Sequence, residues 1–167
     1  MNSNLLFDFT VDKTNHTIRV TREFDAELNL VWQAWTTAEL LDQWWAPKPY
    51  YVQTKTLHFA EGGQWHYAMI SPEGDKHWCL ADYKTIDPTK SYTALDAFCD
   101  EAGNMNADMP RTFWTNVFTA NNGTTTVNIT LQYQSLADLE KVLAMGMQEG
   151  FTMALNNLDE LLLTIKK

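Results

Sequence analysis

An apolar stripe near the C-terminus constrains the fold of this chain more than any other feature of its sequence. From Ser135, a residue type that suits a helix N-cap, apolar residues recur in steps of three and four as far as Ile165. This spacing predicts one helix of about thirty residues, about 45 Å long, with a single apolar face. A face of that length requires an equally long apolar partner. The stripe consists of Leu136, Leu139, Leu143, Met147, Phe151, Ala154, Leu158, Leu161, Leu162 and Ile165.

The partner that the sequence offers is a β-sheet. Apolar and polar residues alternate in segments separated by short turns rich in Gly, Pro, Asn and Asp, which is typical of half-exposed strands. The turn Asn121-Asn122-Gly123 favours a tight hairpin, because Asn and Gly tolerate positive φ angles. Strands joined by short turns pair antiparallel. We predict strands at 16–24, 51–59, 65–69, 77–86, 92–99, 111–119 and 124–133.

Two short helices are predicted between the first and the second of these strands. Apolar residues at 28–35 and 40–44 are spaced three and four apart, so each segment has one buried helical face. Thr36 or Thr37 suits the N-cap of the second helix, and Pro47 ends it. The predicted order is therefore a strand, two short helices, several antiparallel strands and a long amphipathic helix. We expect residues 1–167 to form one domain.

The charge of the chain excludes several classes of partner. It carries 12 basic and 21 acidic residues, a net charge of −9, and such a surface repels nucleic acids and anionic membranes. No apolar run approaches the roughly 20 residues of a membrane span, and the first residues lack the basic region of a secretory signal. We therefore expect a cytoplasmic protein that has neither nucleic acid nor a membrane as its partner.

Cysteines and histidines show no metal or disulfide signature. Cys79 and Cys99 lie in strand-like segments without a CxxC motif, so we expect free thiols in a reducing compartment. The two segments are compatible with a position of the cysteines across one strand ladder. His58 and His66 flank a turn, but the sequence contains no HxxxH, HExxH or Cys/His cluster. We assign no metal, no cofactor and no catalytic residue.

Four motifs in this order resemble a known family. They are VWQAWT at 31–36, GGQW at 62–65, IDP at 86–88 and GMQEGF at 146–151. Together they make the chain similar to the activator of Hsp90 ATPase homologue 1-like (AHSA1-like) family, within the START/Bet v 1-like (SRPBCC) superfamily. The resemblance implies the α+β helix-grip fold, a curved antiparallel sheet wrapped around a long C-terminal helix, with two short helices after the first strand. The chain departs from the family at Thr85, where Glu is common, and in a longer loop at 104–110.

The predicted geometry favours a cavity between sheet and helix. A strongly curved sheet and a straight helix cannot touch along their full length, so bulky side chains or a ligand must fill the gap. Gly146 and Gly150 lie four residues apart on one helical face. They indicate either a bend that shapes the cavity or close packing against an aromatic residue such as Trp44. The residues expected to line a ligand site are Trp44, Trp65, Tyr67, Met69, Tyr83, Phe98, Trp114, Met147 and Phe151.

Three functions are compatible with this sequence. The first is binding of a small hydrophobic ligand, lipid-like or polycyclic aromatic, in the cavity. The second is a co-chaperone-like interaction with an Hsp90-type chaperone, as the resemblance implies. The third is a pocket enzyme of cyclase or hydrolase type, in which Asp82, Asp96 or Glu149 would act as acid or base if buried at the cavity. The sequence leaves open whether the protein is a monomer or a homodimer.

Overall fold

Eight antiparallel strands form one sheet in the computed structural model, which describes residues 5–165. The order of the strands across the sheet is β1-β2-β8-β7-β6-β5-β4-β3. The strands are β1 (Phe7–Asp12), β2 (Thr17–Phe24), β3 (Tyr51–Leu57), β4 (Gln64–Ile70), β5 (Lys76–Asp87), β6 (Ser91–Phe98), β7 (Phe113–Asn121) and β8 (Thr124–Gln132). The helices are α1 (Leu28–Thr36), α2 (Ala38–Trp44), α3 (Leu136–Ala144) and α4 (Met147–Ile165).

The two short helices follow the second strand, because β1 precedes the strand that the sequence analysis placed first. Strand β1 lies at the sheet edge and pairs only with β2. Its alternation of Phe7, Phe9 and Val11 with polar residues is a strand signal that we overlooked. Phe9 and Val11 pack against the core, whereas Phe7 is exposed. An edge strand of this kind carries a weaker apolar pattern than a strand with neighbours on both sides.

The predicted long C-terminal helix is two helices. Ser135 begins α3 as predicted, with its Oγ accepting a hydrogen bond from the Asp138 backbone N–H at 3.1 Å. The chain then turns at Gly146, whose φ of +88° is favourable only for glycine. The break was hidden in the sequence because the apolar stripe continues through it: both helices direct their apolar faces at the same sheet.

Helices α1 and α2 close one end of the space above the sheet. Thr37 takes the N-cap position of α2, but its hydroxyl donates to the Gln33 carbonyl rather than capping α2. The Trp44 indole N–H donates to the Ala34 carbonyl at 2.8 Å, which fixes the angle between the two helices. Asn157 on α4 donates to the Ala46 carbonyl at 2.9 Å. The Trp44 bond joins α2 to α1, and the Asn157 bond attaches the segment after α2 to α4.

A cluster of interlocking rings fills this end of the molecule. Trp35 meets Trp44 with ring centroids 4.9 Å apart, and Trp32 meets Phe118 at 5.0 Å, both edge to face. Such geometry is the preferred arrangement of aromatic pairs. We call this group the aromatic cluster; it consists of Trp32, Trp35, Trp44, Phe59, Tyr83, Tyr92 and Phe118.

The hairpin between β7 and β8 confirms the turn prediction. Asn121 pairs with Thr124, which leaves a two-residue loop. Asn122 and Gly123 in that loop have φ angles of 52° and 90°, as a tight hairpin turn with a right-handed twist requires. No helix within the described residues is long and apolar enough to cross a membrane.

Candidate functional site

A cavity of about 250 Å³ lies between the sheet and the junction of α3 with α4. The two helices contribute one wall, around Gly146 where the chain turns, and strands β4 to β8 contribute the other. It is lined by Trp45, Pro47, Tyr67, Met69, Cys79, Asp96, Ala97, Phe98, Thr112, Trp114, Leu131, Tyr133, Val142, Met145, Gly146, Met147, Gly150 and Phe151.

Three aromatic rings form the apolar side of the cavity. Trp45 lies 5.6 Å from Trp114 and 6.0 Å from Phe151, and Trp114 lies 5.5 Å from Phe151, measured between ring centroids. Trp45 also contacts Trp35 and Trp44 at 5.9 and 5.2 Å. It therefore stands at the boundary between the aromatic cluster and the cavity, with one face in contact with packed rings and the other near open space.

A carboxylate adjoins this apolar wall. Asp96 Oδ1 accepts a hydrogen bond from the Thr112 backbone N–H at 2.7 Å, and Oδ2 accepts one from the Trp114 indole N–H at 2.8 Å. Asp96 is of intermediate exposure, and we attribute its accessible surface to the cavity that it lines. Its place in the sheet follows from register: Leu95 pairs with Phe113, so Asp96 stands opposite Thr112, where the β6–β7 ladder ends.

Burial raises the pKa of Asp96 to about 6, because a low-dielectric environment disfavours the charged form. The hydrogen bonds from Trp114 and Thr112 and the nearby charge of Arg111 oppose this effect. Arg111 does not pair with the carboxylate directly. Its Nε donates to the backbone carbonyl of Asp96 at 2.9 Å, and its Nη2 donates to Asp82 at 3.0 Å.

Two phenols and a thiol complete the polar side of the cavity. Tyr67 Oη accepts a hydrogen bond from the Trp45 indole N–H at 3.1 Å, and burial raises its pKa well above the usual value. Tyr133 Oη is buried and makes no well-formed hydrogen bond with any residue in 5–165, and burial raises its pKa to about 12. Burial likewise raises the pKa of the Cys79 thiol to about 12, so the thiol is neutral.

An open groove adjoins the cavity. The groove has a volume of about 740 Å³ and shares Pro47, Met69, Phe98 and Met145 with the cavity. These four side chains thus separate an inner chamber from an outer one. The outer groove, as we call it, is more polar and is also lined by Tyr50, Lys76, His77, Trp78, Cys99, Asp100, Glu101, Asn106 and Met109.

Most of the residues expected to line the ligand site do border the cavity. They are Tyr67, Met69, Phe98, Trp114, Met147 and Phe151. Trp44 and Tyr83 lie instead in the aromatic cluster, where Tyr83 meets Phe59 at 4.9 Å. Trp65 is buried next to the cavity: its ring lies 3.9 Å from that of Tyr67 and 5.5 Å from that of Trp45, both of which line the cavity, and its indole donates to Thr54 Oγ1. From the helical periodicity we predicted that Trp44 lines the cavity. In the structure its neighbour Trp45 lines it instead.

The sequence analysis did not single out Tyr133 or the residues of the helix junction. Tyr133 continues the buried alternation of Val127, Ile129 and Leu131, and this period-two pattern was the signal that could have identified it. Met145 and Gly146 line the cavity only because the C-terminal helix is broken between α3 and α4. Gly150 packs near Pro47, not Trp44: a Cβ placed on it would lie 3.7 Å from Pro47 Cγ.

Of the three carboxylates considered as acid or base, Asp96 is the one at the cavity. Asp82 is held by Arg111 and by Gln64, whose Nε2 donates to it at 2.8 Å. Glu149 is exposed. Cys79 and Cys99 are free thiols, and Cys79 pairs in the ladder with Phe98, the residue before Cys99. Within residues 5–165 no group of His, Cys, Asp and Glu side chains could hold a metal ion.

Solved bacterial structures share this architecture, which is the helix-grip fold. A crystal structure of protein Ms6760 from Mycobacterium smegmatis is 30% identical, with a TM-score of 0.86 over 95% of this chain and 96% of that chain. A solution structure from Staphylococcus epidermidis is 30% identical, with a TM-score of 0.82 over 93% and 94%. One from Arthrobacter aurescens is 27% identical, with a TM-score of 0.86 over 91% and 88%.

The sequence itself matches a family model over residues 25–163, described as Activator of Hsp90 ATPase homolog 1-like protein. The chain therefore belongs to that family, as its motifs predicted. A comparison with curated proteins finds no match. Family membership is compatible with ligand binding and with a co-chaperone-like role.

Proposed function

We propose that this protein binds a small, mainly apolar ligand in the cavity between the sheet and the α3–α4 junction. The observation that supports this most directly is the contrast within the cavity wall. Three rings, those of Trp45, Trp114 and Phe151, form an apolar wall, and a single carboxylate, that of Asp96, adjoins it and accepts a hydrogen bond from the Trp114 indole. Binding sites for small molecules combine a predominantly apolar lining with a few polar groups that fix orientation.

The dimensions favour a compact ligand. The chamber of about 250 Å³ is slightly smaller than typical drug-sized sites, which begin near about 300 Å³. A fused-ring aromatic molecule or a short lipid-like chain fits such a space. A longer ligand would extend past Met69 and Phe98 into the outer groove. Burial of its apolar surface would stabilise the complex by roughly 25 cal/mol per Å².

The first experiment is native mass spectrometry of freshly purified protein, followed by thermal unfolding against fatty acids, flavonoids and steroids. A ligand that binds only the folded state raises the unfolding temperature in proportion to the logarithm of its concentration. We expect a co-purified small molecule or a shift of several degrees for at least one compound class.

A matched pair of variants assigns such binding to the cavity. Met147→Trp places a larger side chain at the cavity wall, whereas Met153→Trp adds the same side chain at an exposed position on the same helix. We expect Met147→Trp to abolish the ligand-induced shift and Met153→Trp to retain it. Equal shifts in the two variants would place the ligand elsewhere and contradict the proposal.

Co-chaperone-like docking is the alternative that the family description raises. It requires a contiguous exposed apolar patch. Exposed apolar side chains such as Phe7 on β1 and Leu163 on α4 belong to separate elements, whereas Tyr50 and Met145 both line the outer groove, which is more polar than the cavity. This distribution favours the cavity over a docking surface. Retention by an immobilised Hsp90-type chaperone that persists in Met147→Trp would instead support the alternative.

A pocket enzyme is a second candidate, favoured by one observation: the Asp96 carboxylate at the cavity has a pKa raised to about 6. A general base is most effective when its pKa lies near the working pH. The test is mass analysis of every panel compound after incubation with the protein. Conversion of a compound by the wild type, absent with Asp96→Asn, would establish catalysis, whereas unchanged compounds would leave binding as the function.

We also propose a cytoplasmic location and no metal or cofactor, consistent with free thiols at Cys79 and Cys99 and a net charge of −9. The acidic surface disfavours nucleic acid and anionic membranes as partners. Fractionation of the producing cells tests the location. Sedimentation of the purified protein distinguishes a monomer from a homodimer.

A further inference from the structure

We propose that the cavity selects ligands whose buried end is an uncharged hydroxyl group, and that it rejects ligands ending in a carboxylate. The selecting groups are Asp96 and Tyr133, which line the same cavity. This inference rests on the proposed ligand-binding function and specifies its ligand class.

Asp96 has hydrogen-bonding capacity that the protein does not use. Each oxygen of its carboxylate accepts one hydrogen bond, from Thr112 N and Trp114 Nε1 respectively, and the Thr112 side chain interacts with the carboxylate more weakly. An ionised carboxylate has about four acceptor sites in total. Arg111 is committed to Asp82 and to the Asp96 backbone carbonyl, so it does not occupy the remaining sites. A donor on a ligand can therefore reach a free lone pair of Asp96.

Tyr133 provides the hydrogen-bond donor of the site, whereas Asp96 provides the acceptor. Tyr133 is 7% exposed. Its hydroxyl is buried and makes no well-formed hydrogen bond in the described part of the chain, although the Thr112 side chain lies close enough to lower its pKa. The charge of Asp96 contributes to raising its pKa, which places the two groups within electrostatic reach of each other. A buried hydroxyl without a well-placed partner is destabilising. A ligand oxygen that accepts the Tyr133 hydrogen removes that penalty.

Three other polar side chains line the cavity, those of Tyr67, Cys79 and Thr112. Tyr67 Oη accepts a hydrogen bond from Trp45 Nε1 and interacts with the Cys79 thiol, which is neutral because burial raises its pKa to about 12. The Thr112 side chain lies beside Asp96 and Tyr133 and lowers the pKa of each. A ligand hydroxyl can donate to Asp96 and accept from Tyr133 at once. A carboxylate meets a like charge at Asp96 in a poorly solvated space, and a hydrocarbon leaves Tyr133 without a partner.

Three probes of one shape test the inference: 2-naphthol, 2-methylnaphthalene and 2-naphthoate. Binding is followed by NMR titration of the indole N–H signals of Trp114 and Trp45 at about pH 7.5, where Asp96, with a pKa of about 6, and the naphthoate are ionised. We expect 2-naphthol to bind about tenfold more tightly than 2-methylnaphthalene, a difference equivalent to about 1.4 kcal/mol. We expect 2-naphthoate to bind more weakly than both.

Three variants test whether Tyr133 and Asp96 cause the preference for a hydroxyl group. Tyr133→Phe should weaken the binding of 2-naphthol about tenfold and leave the affinity for 2-methylnaphthalene unchanged. Asp96→Asn should strengthen 2-naphthoate, because the like charge is gone. Tyr92→Phe removes a buried hydroxyl in the aromatic cluster and should alter none of the three affinities.

The outcomes separate the two proposals. Equal affinities of the three probes in the wild type, all lost in Met147→Trp, would overturn the hydroxyl selection while leaving the ligand-binding function intact. A preference for 2-naphthol that persists in both Tyr133→Phe and Asp96→Asn would also overturn it. No shift of either indole signal with any probe up to its solubility limit would overturn both proposals.

Discussion

The space between the sheet and the C-terminal helices is filled at one end and hollow at the other. At the filled end the aromatic cluster packs edge to face, and Trp35 and Trp44 are each 1% exposed. At the hollow end Trp45, Trp114 and Phe151 meet at 5.5 to 6.0 Å and border a cavity of about 250 Å³. Both ends are rich in aromatic side chains, so composition does not distinguish them.

The helices above the sheet explain why one end is filled and the other is hollow. Helices α1 and α2 insert Trp32, Trp35 and Trp44 into the filled end. Above the hollow end the chain instead turns at Gly146, between α3 and α4, and no side chain projects from that residue. The cavity of this protein thus lies where the covering helix is interrupted, and packing is completed where two short helices supply large rings.

Truncation of a large side chain should therefore have very different effects on stability at the two ends. Trp35→Ala should lower the free energy of unfolding by about 3–5 kcal/mol, because it opens a void in close-packed surroundings. Met147→Ala should lower it by less than about 2 kcal/mol, because Met147 already borders open space. Urea unfolding followed by circular dichroism measures both. Similar losses would show that the hollow end is as tightly packed as the filled end.

The Asp96 carboxylate should make the hollow end sensitive to pH. Its pKa is raised from 3.8 to about 6 in the folded protein, so the folded state binds the proton more tightly than the unfolded state. The associated stability is present at low pH and is lost as the pH rises through about 6. Between about pH 4 and pH 7.5 the free energy of unfolding of the wild type should fall by about 2–3 kcal/mol relative to that of Asp96→Asn.

Comparison with the Asp96→Asn variant isolates this effect. Asp42 and Asp159, whose pKa values are also raised by burial, and Asp12 and Asp100, whose pKa values are lowered by hydrogen bonds from Asn15 and Asn104, are present in both proteins. Chemical unfolding at several pH values gives the difference directly. A difference independent of pH would mean that Asp96 is as well solvated in the folded protein as in the unfolded chain.

Substitution of Gly146 should destabilise the helix junction. Its φ of +88° is unfavourable by roughly 1–2 kcal/mol for a residue with a Cβ atom. No side chain or backbone atom nearer than Glu149 Oε1, at 4.0 Å, would meet that Cβ, so the loss in Gly146→Ala is conformational and not steric. Thermal unfolding measures it. A stability gain would indicate that the two helices merge into one in the variant.

Gly150 should behave in the opposite way, with the smallest effect. It lies inside α4, its φ is not positive, and an added Cβ would meet Pro47 Cγ at an ordinary 3.7 Å. Gly150→Ala should therefore raise the free energy of unfolding by about 0.5–1 kcal/mol, through helix propensity and a less flexible unfolded chain. The same thermal measurement applies. A loss would show that the helix and Pro47 are closer than the structure indicates.

The sequence by itself determined the class of fold, because that class depends on periodicity. Period-two strands, the Asn122-Gly123 turn, two short helices and an apolar stripe with Ser135 as its cap are local signals, and the structure confirms each of them. Strand β1 was readable from Phe7, Phe9 and Val11 but was overlooked. The family motifs identified the helix-grip fold for the same reason: they lie on these elements. That residues 1–167 form one domain stays a prediction.

Only the tertiary structure decided where the space lies and what faces it. Periodicity indicates that Trp44, Trp65 and Tyr83 point inward, but it cannot indicate whether a ring meets another ring or an empty volume. The break at Gly146 leaves no signal in the sequence, because the apolar stripe continues through it. That Asp96 and Tyr133 line the same cavity depends on register across strands distant in sequence. Local patterns fix which face of an element is buried, whereas the contacts of that face depend on the whole chain.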